Sequence, residues 1–192
     1  IVYIADRYGV AIADISTGDY FVTELPDSSR LMDEIYKFSP SEIICNEAFY
    51  MSGMDLDAMR DKLGITIYSL DSWYFDDAVC KDKLLEHFKV KNFAGLGLAD
   101  YDCGIISAGA LLIYLFETQK NSLSNLTHIT PYITGKYMLI DSSTRRNLEL
   151  CETLREKQKR GSLLWVLDKT RTAMGARTLR KNVEQPLIDK SE

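Results

Sequence analysis

The chain has 192 residues, of which 46% are hydrophobic, and a formal net charge of −5. This length can hold one large domain, or one complete domain with part of another. Its longest apolar run, Ile105 to Phe116, is shorter than the roughly 20 residues that cross a bilayer, and we find no signal peptide. We therefore expect a globular protein that does not span a membrane. Because the sequence starts without Met, we expect an internal piece of a longer protein.

Charge is distributed unevenly along the sequence. Residues 1–141 carry 11 Lys and Arg against 21 Asp and Glu, a net charge of −10, whereas residues 142–192 carry 12 against 7, a net charge of +5. Affinity for nucleic acids depends on basic side chains that neutralise phosphates. The first part is therefore not expected to bind DNA by itself.

The four cysteines are Cys45, Cys80, Cys103 and Cys151. They form no CxxC pair and no histidine lies at ligand spacing, which argues against a zinc site and against a disulfide framework. We expect buried thiols in a reducing compartment, the cytoplasm.

Three β-rich runs open the sequence: Ile1–Ala5, Val10–Ile15 and Tyr20–Leu25. Turns at Tyr8-Gly9 and at Thr17-Gly18-Asp19 predict that these runs form an antiparallel meander.

Helices and strands then alternate. A helix capped by Ser28 or Ser29 ends before Pro40, and it is followed by a strand at Glu42–Asn46, a helix near Asp55–Leu63, a strand at Ile65–Ser69 and a helix near Asp76–Phe88. This order predicts an α/β domain with an RNase H-like mixed sheet and flanking helices.

Cys103–Gln119 is apolar on nearly every face, which predicts a helix buried at the centre of this domain. Gly95 and Gly97 follow no clear strand and precede no Lys-Ser/Thr pair, so they predict a tight turn and not a phosphate-binding loop. The segment Leu126–Ile140 is expected to run over the surface and to contain the domain boundary.

After Asp141 the sequence becomes helical and basic. Asp141, Ser142 or Ser143 can cap a helix with Leu148, Cys151 and Leu154 on its apolar stripe, and Gly161 interrupts it before the apolar stretch Leu163–Leu167. Thr172 can cap a last helix with Ala176, Leu179 and Val183 on one stripe. The basic residues Arg155, Lys157, Lys159 and Arg160 are interpreted as a solvated helix face.

Metal-dependent nucleases also use RNase H-like sheets, and their sites need several carboxylates around two metal ions. Candidates at strand ends are Asp6, Asp14, Glu47, Asp71 and Asp102. Asp6 and Asp14 adjoin turns, where Asp makes local backbone hydrogen bonds, so a nuclease or resolvase is kept only as the alternative function. Neither His87 nor His128 has a Ser or Cys partner in a nucleophile motif, so no catalytic residue and no metal ligand is predicted.

Three stretches resemble the MutS family of DNA mismatch-repair proteins. They are Ala11-Ile-Ala-Asp-Ile-Ser-Thr-Gly-Asp-Tyr; Phe93-Ala-Gly-Leu-Gly-Leu with the following Gly104-Ile-Ile-Ser-Ala-Gly-Ala-Leu-Leu; and the segment from Met138 to Leu187, which contains Gly161-Ser-Leu-Leu-Trp-Val-Leu-Asp-Lys-Thr. One departure is Asn182, where the family usually has Trp. It lies next to Val183 on the apolar stripe, so we expect its amide to be half buried.

The resemblance implies a connector domain at 1–125, a linker at 126–141 and the first, incomplete part of the core/lever domain at 142–192. It implies that the intact protein is a homodimeric ATPase that uses ATP and Mg²⁺, binds mismatched double-stranded DNA and recruits MutL. The family's mismatch-reading Phe-x-Glu segment and its Walker nucleotide site do not occur in this sequence. This chain is therefore expected to have no catalytic site, nucleotide site or cofactor. A MutS-like paralogue acting in recombination is a further alternative.

In the family, MutL contacts the connector helix before the glycine turn, which corresponds here to Asp76–Lys91. The resemblance implies partner-binding residues Lys81, Asp82 and Lys83 at the exposed start of this helix, with Lys89 and Lys91 nearby. The inward stripe is expected to contain Leu84, Leu85 and Phe88.

Overall fold

The computed structural model describes residues 1–119, 123–132, 138, 140 and 142–188. The chain forms two compact units, one of Ile1–Leu31 with Ser39–Ile133 and one of Met32–Phe38 with Thr134–Glu192. The strands are β1 (Val2–Ile4), β2 (Arg7–Asp14), β3 (Asp19–Leu25), β4 (Glu42–Cys45), β5 (Thr66–Ser69) and β6 (Thr130–Pro131). The α-helices are α1 (Ser28–Phe38), α2 (Glu47–Tyr50), α3 (Leu56–Leu63), α4 (Asp77–Phe88), α5 (Cys103–Gln119), α6 (Ser142–Asn147), α7 (Leu163–Leu167) and α8 (Ala173–Glu184). Two 3₁₀ helices are Ser72–Phe75 and Phe93–Leu96. The α/β class is confirmed.

The predicted meander is confirmed, because β1, β2 and β3 pair antiparallel, and β6 adds parallel to β3. Its first turn is not at Tyr8-Gly9, which lie inside β2. Ala5 and Asp6 form the turn, with φ of 48° and 60°. Two central residues with positive φ are the geometry that matches the twist of a two-residue hairpin.

The parallel pair β4–β5 lies beside β1. The backbone nitrogen of Ile1 donates to the carbonyl oxygen of Ile44 at 2.7 Å. Two residues further along both strands, the side-chain amide of Asn46 is hydrogen-bonded to the backbone of Tyr3. These contacts run in one register and align β4 parallel to β1.

Helix α5 has the predicted bounds and is buried on several sides, as expected for a central packing helix. Glycines set its closest approaches to neighbouring elements. A Cβ on Gly9 would lie 2.1 Å from the carbonyl oxygen of Cys103, and a Cβ on Gly109 would lie 2.3 Å from the Cβ of Cys80. The absence of these two side chains therefore lets β2 and α4 pack directly on α5.

A side chain from the sheet caps α5. Glu24 on β3 accepts hydrogen bonds at Oε1 from the backbone nitrogens of Asp102, at 2.6 Å, and Gly104, at 2.8 Å. A carboxylate at this position satisfies unpaired N–H groups and interacts favourably with the positive end of the helix dipole. The second carboxylate oxygen of Glu24, Oε2, lies 3.6 Å from a guanidinium nitrogen of Arg7.

Two expectations about segment ends were wrong. The carboxylate of Asp27, not Ser28 or Ser29, accepts from the backbone nitrogen of Arg30 at the start of α1. Leu126 and Ile129 are buried, 2% and 6% exposed, so the first part of the predicted surface stretch packs into the core. The reason is that β6 returns to the sheet beside β3 and carries these side chains into the core. Residues 133–137, 139 and 141 lie outside the described residues, and the domain boundary stays a prediction.

The second unit has a small core of its own, formed by Leu150, Cys151 and Leu164 with Ile140, Leu179 and Val183 packed against it. Thr172 caps α8 as predicted, since its hydroxyl accepts from the nitrogen of Gly175. The predicted stripe Leu148, Cys151 and Leu154 is wrong. Leu148 and Leu154 are 59% and 46% exposed. Helix α6 ends at Asn147, so these residues do not share the face of a helix.

Two further expectations for this unit are wrong. Asn182 is exposed. Successive residues of a helix point in directions about 100° apart, so Asn182 lies to the side of the apolar stripe that contains Val183. The basic residues Arg155, Lys157, Lys159 and Arg160 are exposed but do not lie on a helix. The Lys159 ammonium pairs with the carboxylate of Asp168, and this contact, with hydrogen bonds from Thr170, lowers the pKa of Asp168 to about 2.

Candidate protein-docking face

Local interactions define both ends of α4. The Asp76 carboxylate accepts a hydrogen bond from the backbone nitrogen of Val79 at 3.0 Å and caps the first turn. At the other end, Lys89 adopts the left-handed conformation, with φ of 54°. The helix is therefore stopped at Phe88 before the chain reaches the glycine turn.

The inward side of α4 is tied to α5. Cys80 and Leu84 have no exposed surface, whereas Leu85 and Phe88 are only partly buried. Burial, with the nearby carboxylates of Asp76 and Asp77, raises the pKa of the Cys80 thiol to about 12. This cysteine is a packed thiol that donates to the carbonyl oxygen of Tyr74, and it is not a reactive thiolate.

The five predicted partner-binding residues fall into two groups. Asp82, Lys89 and Lys91 are exposed and make no ion pair with any described residue. Lys81 and Lys83 are half buried, with side-chain exposures of 39% and 35%.

Both half-buried lysines have partners within the fold. The Lys81 ammonium lies 2.7 Å from the Asp77 carboxylate. The Lys83 ammonium lies 3.3 Å from Glu86 and 4.7 Å from the centre of the Phe116 ring. Residues two apart on a helix leave it roughly 200° apart, so Lys81 and Lys83 do not share one face. The predicted residues therefore do not form a single compact patch.

The glycine turn after α4 is confirmed. Asn92 accepts at Oδ1 from the nitrogen of Gly95, the 3₁₀ helix Phe93–Leu96 follows, and Gly97 closes it with φ of 72°.

Two of the acidic residues considered for a nuclease, Asp6 and Asp14, serve as turn residues, whereas Glu47 is the first residue of α2 and Asp71 and Asp102 directly precede helices. The Asp6 carboxylate accepts from the hydroxyl of Tyr3 at 2.8 Å, and the Asp14 carboxylate accepts from the nitrogen of Ser16, also at 2.8 Å. In the part of the chain that the structure describes, no three His, Cys, Asp or Glu side chains are grouped to hold a metal ion. The His87 ring lies 2.8 Å from the carbonyl oxygen of Leu126, and His128 is exposed.

A surface feature missed by the sequence reasoning lies just before α4. The 3₁₀ helix Ser72–Phe75 carries three consecutive aromatic residues, and Trp73 is 47% exposed. Its ring stacks on Tyr74, with centroids 3.9 Å apart. The run Trp-Tyr-Phe between two polar residues was the available signal.

None of the helices in the described ranges is both long enough and apolar enough to cross a membrane.

Comparison with known proteins finds relatives along the whole length of the chain. The family model described as MutS domain II matches residues 2–130, and the model described as MutS domain III matches residues 143–192. The DNA mismatch repair protein MutS of Lachnoclostridium phytofermentans is 57% identical over 192 residues, which are 100% of this chain and 21% of that protein.

More distant relatives agree. The DNA mismatch repair protein MutS of Ruminiclostridium cellulolyticum is 42% identical over 95% of this chain and 21% of its own length, and that of Protochlamydia amoebophila is 35% identical over 100% of this chain and 22% of its own length. The chain thus spans about a fifth of the relatives that it matches. Because the two family models together match nearly every residue, the chain belongs to the MutS family of DNA mismatch-repair proteins.

Proposed function

We propose that this chain is the non-catalytic connector of a MutS-type mismatch-repair protein, together with the first part of its core. In this proposal the domain boundary lies within 126–141, and the two parts transmit movement between modules that bind mismatched DNA and modules that use ATP and Mg²⁺. The observation that carries the proposal is the match of residues 2–130 to MutS domain II and of residues 143–192 to MutS domain III.

The proposed connector has an RNase H-like fold. Support comes from the hydrogen bonds between Ile1 and Ile44 and between Tyr3 and Asn46, which put β4 next to β1. Across these contacts the strands follow the order β6-β3-β2-β1-β4-β5, in which β3, β2 and β1 are antiparallel neighbours and β4 and β5 are parallel. The mixed sheet with flanking helices is the architecture that this order predicts.

The proposed docking partner of α4 is MutL. A rigid body is suited to this role, because a partner that contacts only one arrangement of a moving domain shifts the population towards that arrangement. Helix α4 is capped at both ends and packs closely on α5 at Gly109, and these contacts favour its movement together with the domain. The exposed residues Asp82, Lys89 and Lys91 are available to a partner at its surface.

The intact protein is proposed to act as a homodimer on mismatched double-stranded DNA in the cytoplasm. The relatives' name gives the repair role. All four cysteines are free thiols, which agrees with a reducing compartment. Strong DNA contacts are assigned to parts outside residues 1–141, whose net charge is −10 (11 basic against 21 acidic residues).

The experiment measures MutL binding by the full-length protein on mismatched DNA with ATP. The test variant is Lys89→Glu/Lys91→Glu, since both side chains are exposed. The control is Glu47→Lys/Asp61→Lys, which reverses two exposed charges elsewhere in the first unit. We expect the test variant to weaken MutL binding at least about five-fold, because charges at the rim of an interface raise the association rate. The melting temperature should not change, because exposed substitutions have little effect on stability.

Lys83 is left out of this first test, since its contact with the Phe116 ring couples its charge to folding. Equal MutL binding by the test variant, the control and the parent protein would remove this end of α4 from the docking face.

A further inference from the structure

A second surface of the first unit combines exposed aromatic rings with carboxylates. Trp73 and Tyr68 are 47% and 48% exposed, and Tyr74 and Tyr114 are half buried. Trp73 stacks on Tyr74. Tyr114 and Glu117 lie three residues apart on one side of α5, and Tyr68 lies on the same face of the β4–β5 pair as Glu42. We call Tyr68, Trp73, Tyr74 and Tyr114, with Glu42 and Glu117, the tyrosine–glutamate face.

Each half-buried phenol on this face is paired with a carboxylate. The Tyr74 hydroxyl donates to Oε2 of Glu117, and the Tyr114 hydroxyl donates to Oε1 of Glu42. Both glutamates are exposed, and the second oxygen of each accepts no hydrogen bond from the described residues. The face therefore presents negative charge next to aromatic ring surfaces.

No Lys or Arg among the described residues forms an ion pair with Glu42 or Glu117. Asp71, just before the 3₁₀ helix that carries Trp73, adds a further exposed carboxylate. A half-exposed tryptophan is a residue type that often carries much of the binding energy at protein interfaces. The carboxylates beside it favour a partner of positive charge.

We propose that the tyrosine–glutamate face binds an arginine-bearing segment of a separate protein. A guanidinium stacks on aromatic rings and also forms two parallel hydrogen bonds with a carboxylate, whereas the ammonium of Lys is a strongly hydrated point charge. Charge complementarity thus selects a basic occupant, and the neighbouring rings select Arg over Lys.

The occupant is a separate protein, because the face is already adapted to water. Its half-buried phenols have carboxylate partners at the surface, and its rim is charged. Faces that are covered permanently are more apolar than this, whereas reversible interfaces have a polar rim around a few aromatic residues. This inference is independent of the MutL proposal, which concerns the lysines at the other end of α4.

The test uses the 192-residue chain and the capped peptide Gly-Arg-Gly-Arg-Gly, with Lys and Glu versions of the same peptide. The chain has two tryptophans, Trp73 and Trp165, so the indole N–H signals report this face and the second unit separately. We expect a saturable shift of Trp73 alone with the Arg peptide, binding about three-fold weaker or more with the Lys peptide, and no shift with the Glu peptide.

Two variants remove the same charge at different places. Glu42→Gln/Glu117→Gln keeps an acceptor for each phenol and removes two charges from the face, whereas Glu47→Gln/Asp61→Asn removes two exposed charges elsewhere. We expect the first variant to weaken Arg-peptide binding about five-fold or more and the second to change it less than about two-fold. Equal shifts of both tryptophans, or equal losses in both variants, would show only diffuse attraction to an acidic chain and overturn the proposal.

A second measurement tests the source of the arginine. Tyr68→Cys introduces an accessible thiol on the face, and maleimide labelling of that residue is followed by mass spectrometry in the 192-residue chain and in the full-length protein. Equal rates support a face that is open to a separate partner. Strong protection in the full-length protein without a partner would mean that another part of the same protein covers the face, and it would overturn the assignment to a separate partner.

Discussion

The side-chain amide of Asn46 makes two hydrogen bonds with the backbone of Tyr3. Its Oδ1 accepts from the Tyr3 nitrogen and its Nδ2 donates to the Tyr3 carbonyl oxygen, each at 3.1 Å. The same Oδ1 accepts from the nitrogen of Phe49 at 3.2 Å and so caps α2. One side chain therefore continues the β1–β4 pairing beyond the end of β4 and starts the helix that follows.

Replacing this amide should cost more than an ordinary cap. We expect Asn46→Ala to lower the free energy of unfolding by about 2–3 kcal/mol, because it leaves both backbone groups of Tyr3 without these partners and removes a cap. Urea unfolding measures the difference. The control is Asn92→Ala, which removes only the cap on the nitrogen of Gly95 and should cost about 1 kcal/mol. Equal costs would mean that the contact with Tyr3 contributes nothing.

Glu24→Ala should destabilise the first unit by about 2 kcal/mol, since two backbone N–H groups at the start of α5 lose a charged acceptor. Glu86→Ala is the matched control. That carboxylate is 75% exposed and pairs only with Lys83, so its loss should cost less than about 0.5 kcal/mol. Chemical denaturation of both variants gives the comparison, and a Glu24→Ala protein as stable as Glu86→Ala would contradict the capping role.

Gly109→Ala should separate α4 from α5. A methyl group would lie 2.3 Å from the Cβ of Cys80, 2.5 Å from its Cα and 2.8 Å from its carbonyl oxygen, so one helix must shift. We expect a loss of about 2 kcal/mol or more, with weaker MutL binding by the full-length variant. Gly95→Ala is the control, because its Cβ would meet nothing nearer than 3.8 Å. Thermal melting of the two variants would refute close packing at Gly109 if their melting temperatures were the same.

The stability of the chain should fall at high pH. The hydrogen bond with Glu117, followed by burial, raises the pKa of Tyr74 to about 12, and burial, followed by the hydrogen bond with Glu42, raises that of Tyr114 to about 12. An unfolded phenol titrates near pH 10. The fold therefore favours the protonated form, and this contribution is complete below about pH 10 and is lost as pH rises to about 12.

The measurement is the free energy of unfolding across about pH 9 to 12, with tyrosinate absorbance as a second signal. Tyr74→Phe and Tyr114→Phe should each reduce the slope. Tyr68→Phe is the control, because this hydroxyl makes no hydrogen bond with a described carboxylate. If the three variants have the same slope, the Tyr74 and Tyr114 phenols do not cause the pH dependence.

The 192-residue chain should bind duplex DNA weakly, with strong dependence on salt and no preference for a mismatch. The net charge of −5 opposes binding, and the exposed basic residues of the second unit are the available phosphate contacts. Arg155→Ala/Lys157→Ala/Arg160→Ala should remove most of the remaining affinity, whereas Lys89→Ala/Lys91→Ala should not. Fluorescence anisotropy over a salt series measures both variants, and tight, mismatch-selective binding would contradict the prediction.

Sequence patterns predicted the features that depend on near neighbours along the chain. The apolar run Cys103–Gln119 predicted α5 with its bounds, and Thr172 and the glycines before α5 were assigned correctly. Such features depend on residues within about four positions of one another, where helix and turn geometry is the same in every protein. Leu148 and Leu154 lie beyond the end of α6, so the helical spacing used to predict their burial did not hold and the prediction was wrong.

The candidate site could be predicted only as a set of charged residues on one helix. Helix α5 decides which of these charged residues are exposed. The Phe116 ring on α5 lies beneath the ammonium of Lys83, and Gly109 on α5 lets Cys80 of α4 pack closely against it. In the same way, Glu24 meets the start of α5 across 78 residues, and Asn46 meets Tyr3 across 43. Sequence composition alone established the acidic first part, the basic tail and the unpaired thiols. Only the packed fold decided which polar groups cap, pair or remain exposed, because hydrogen bonds and ion pairs depend on distances of about 3–4 Å that no spacing along the chain predicts at such separations.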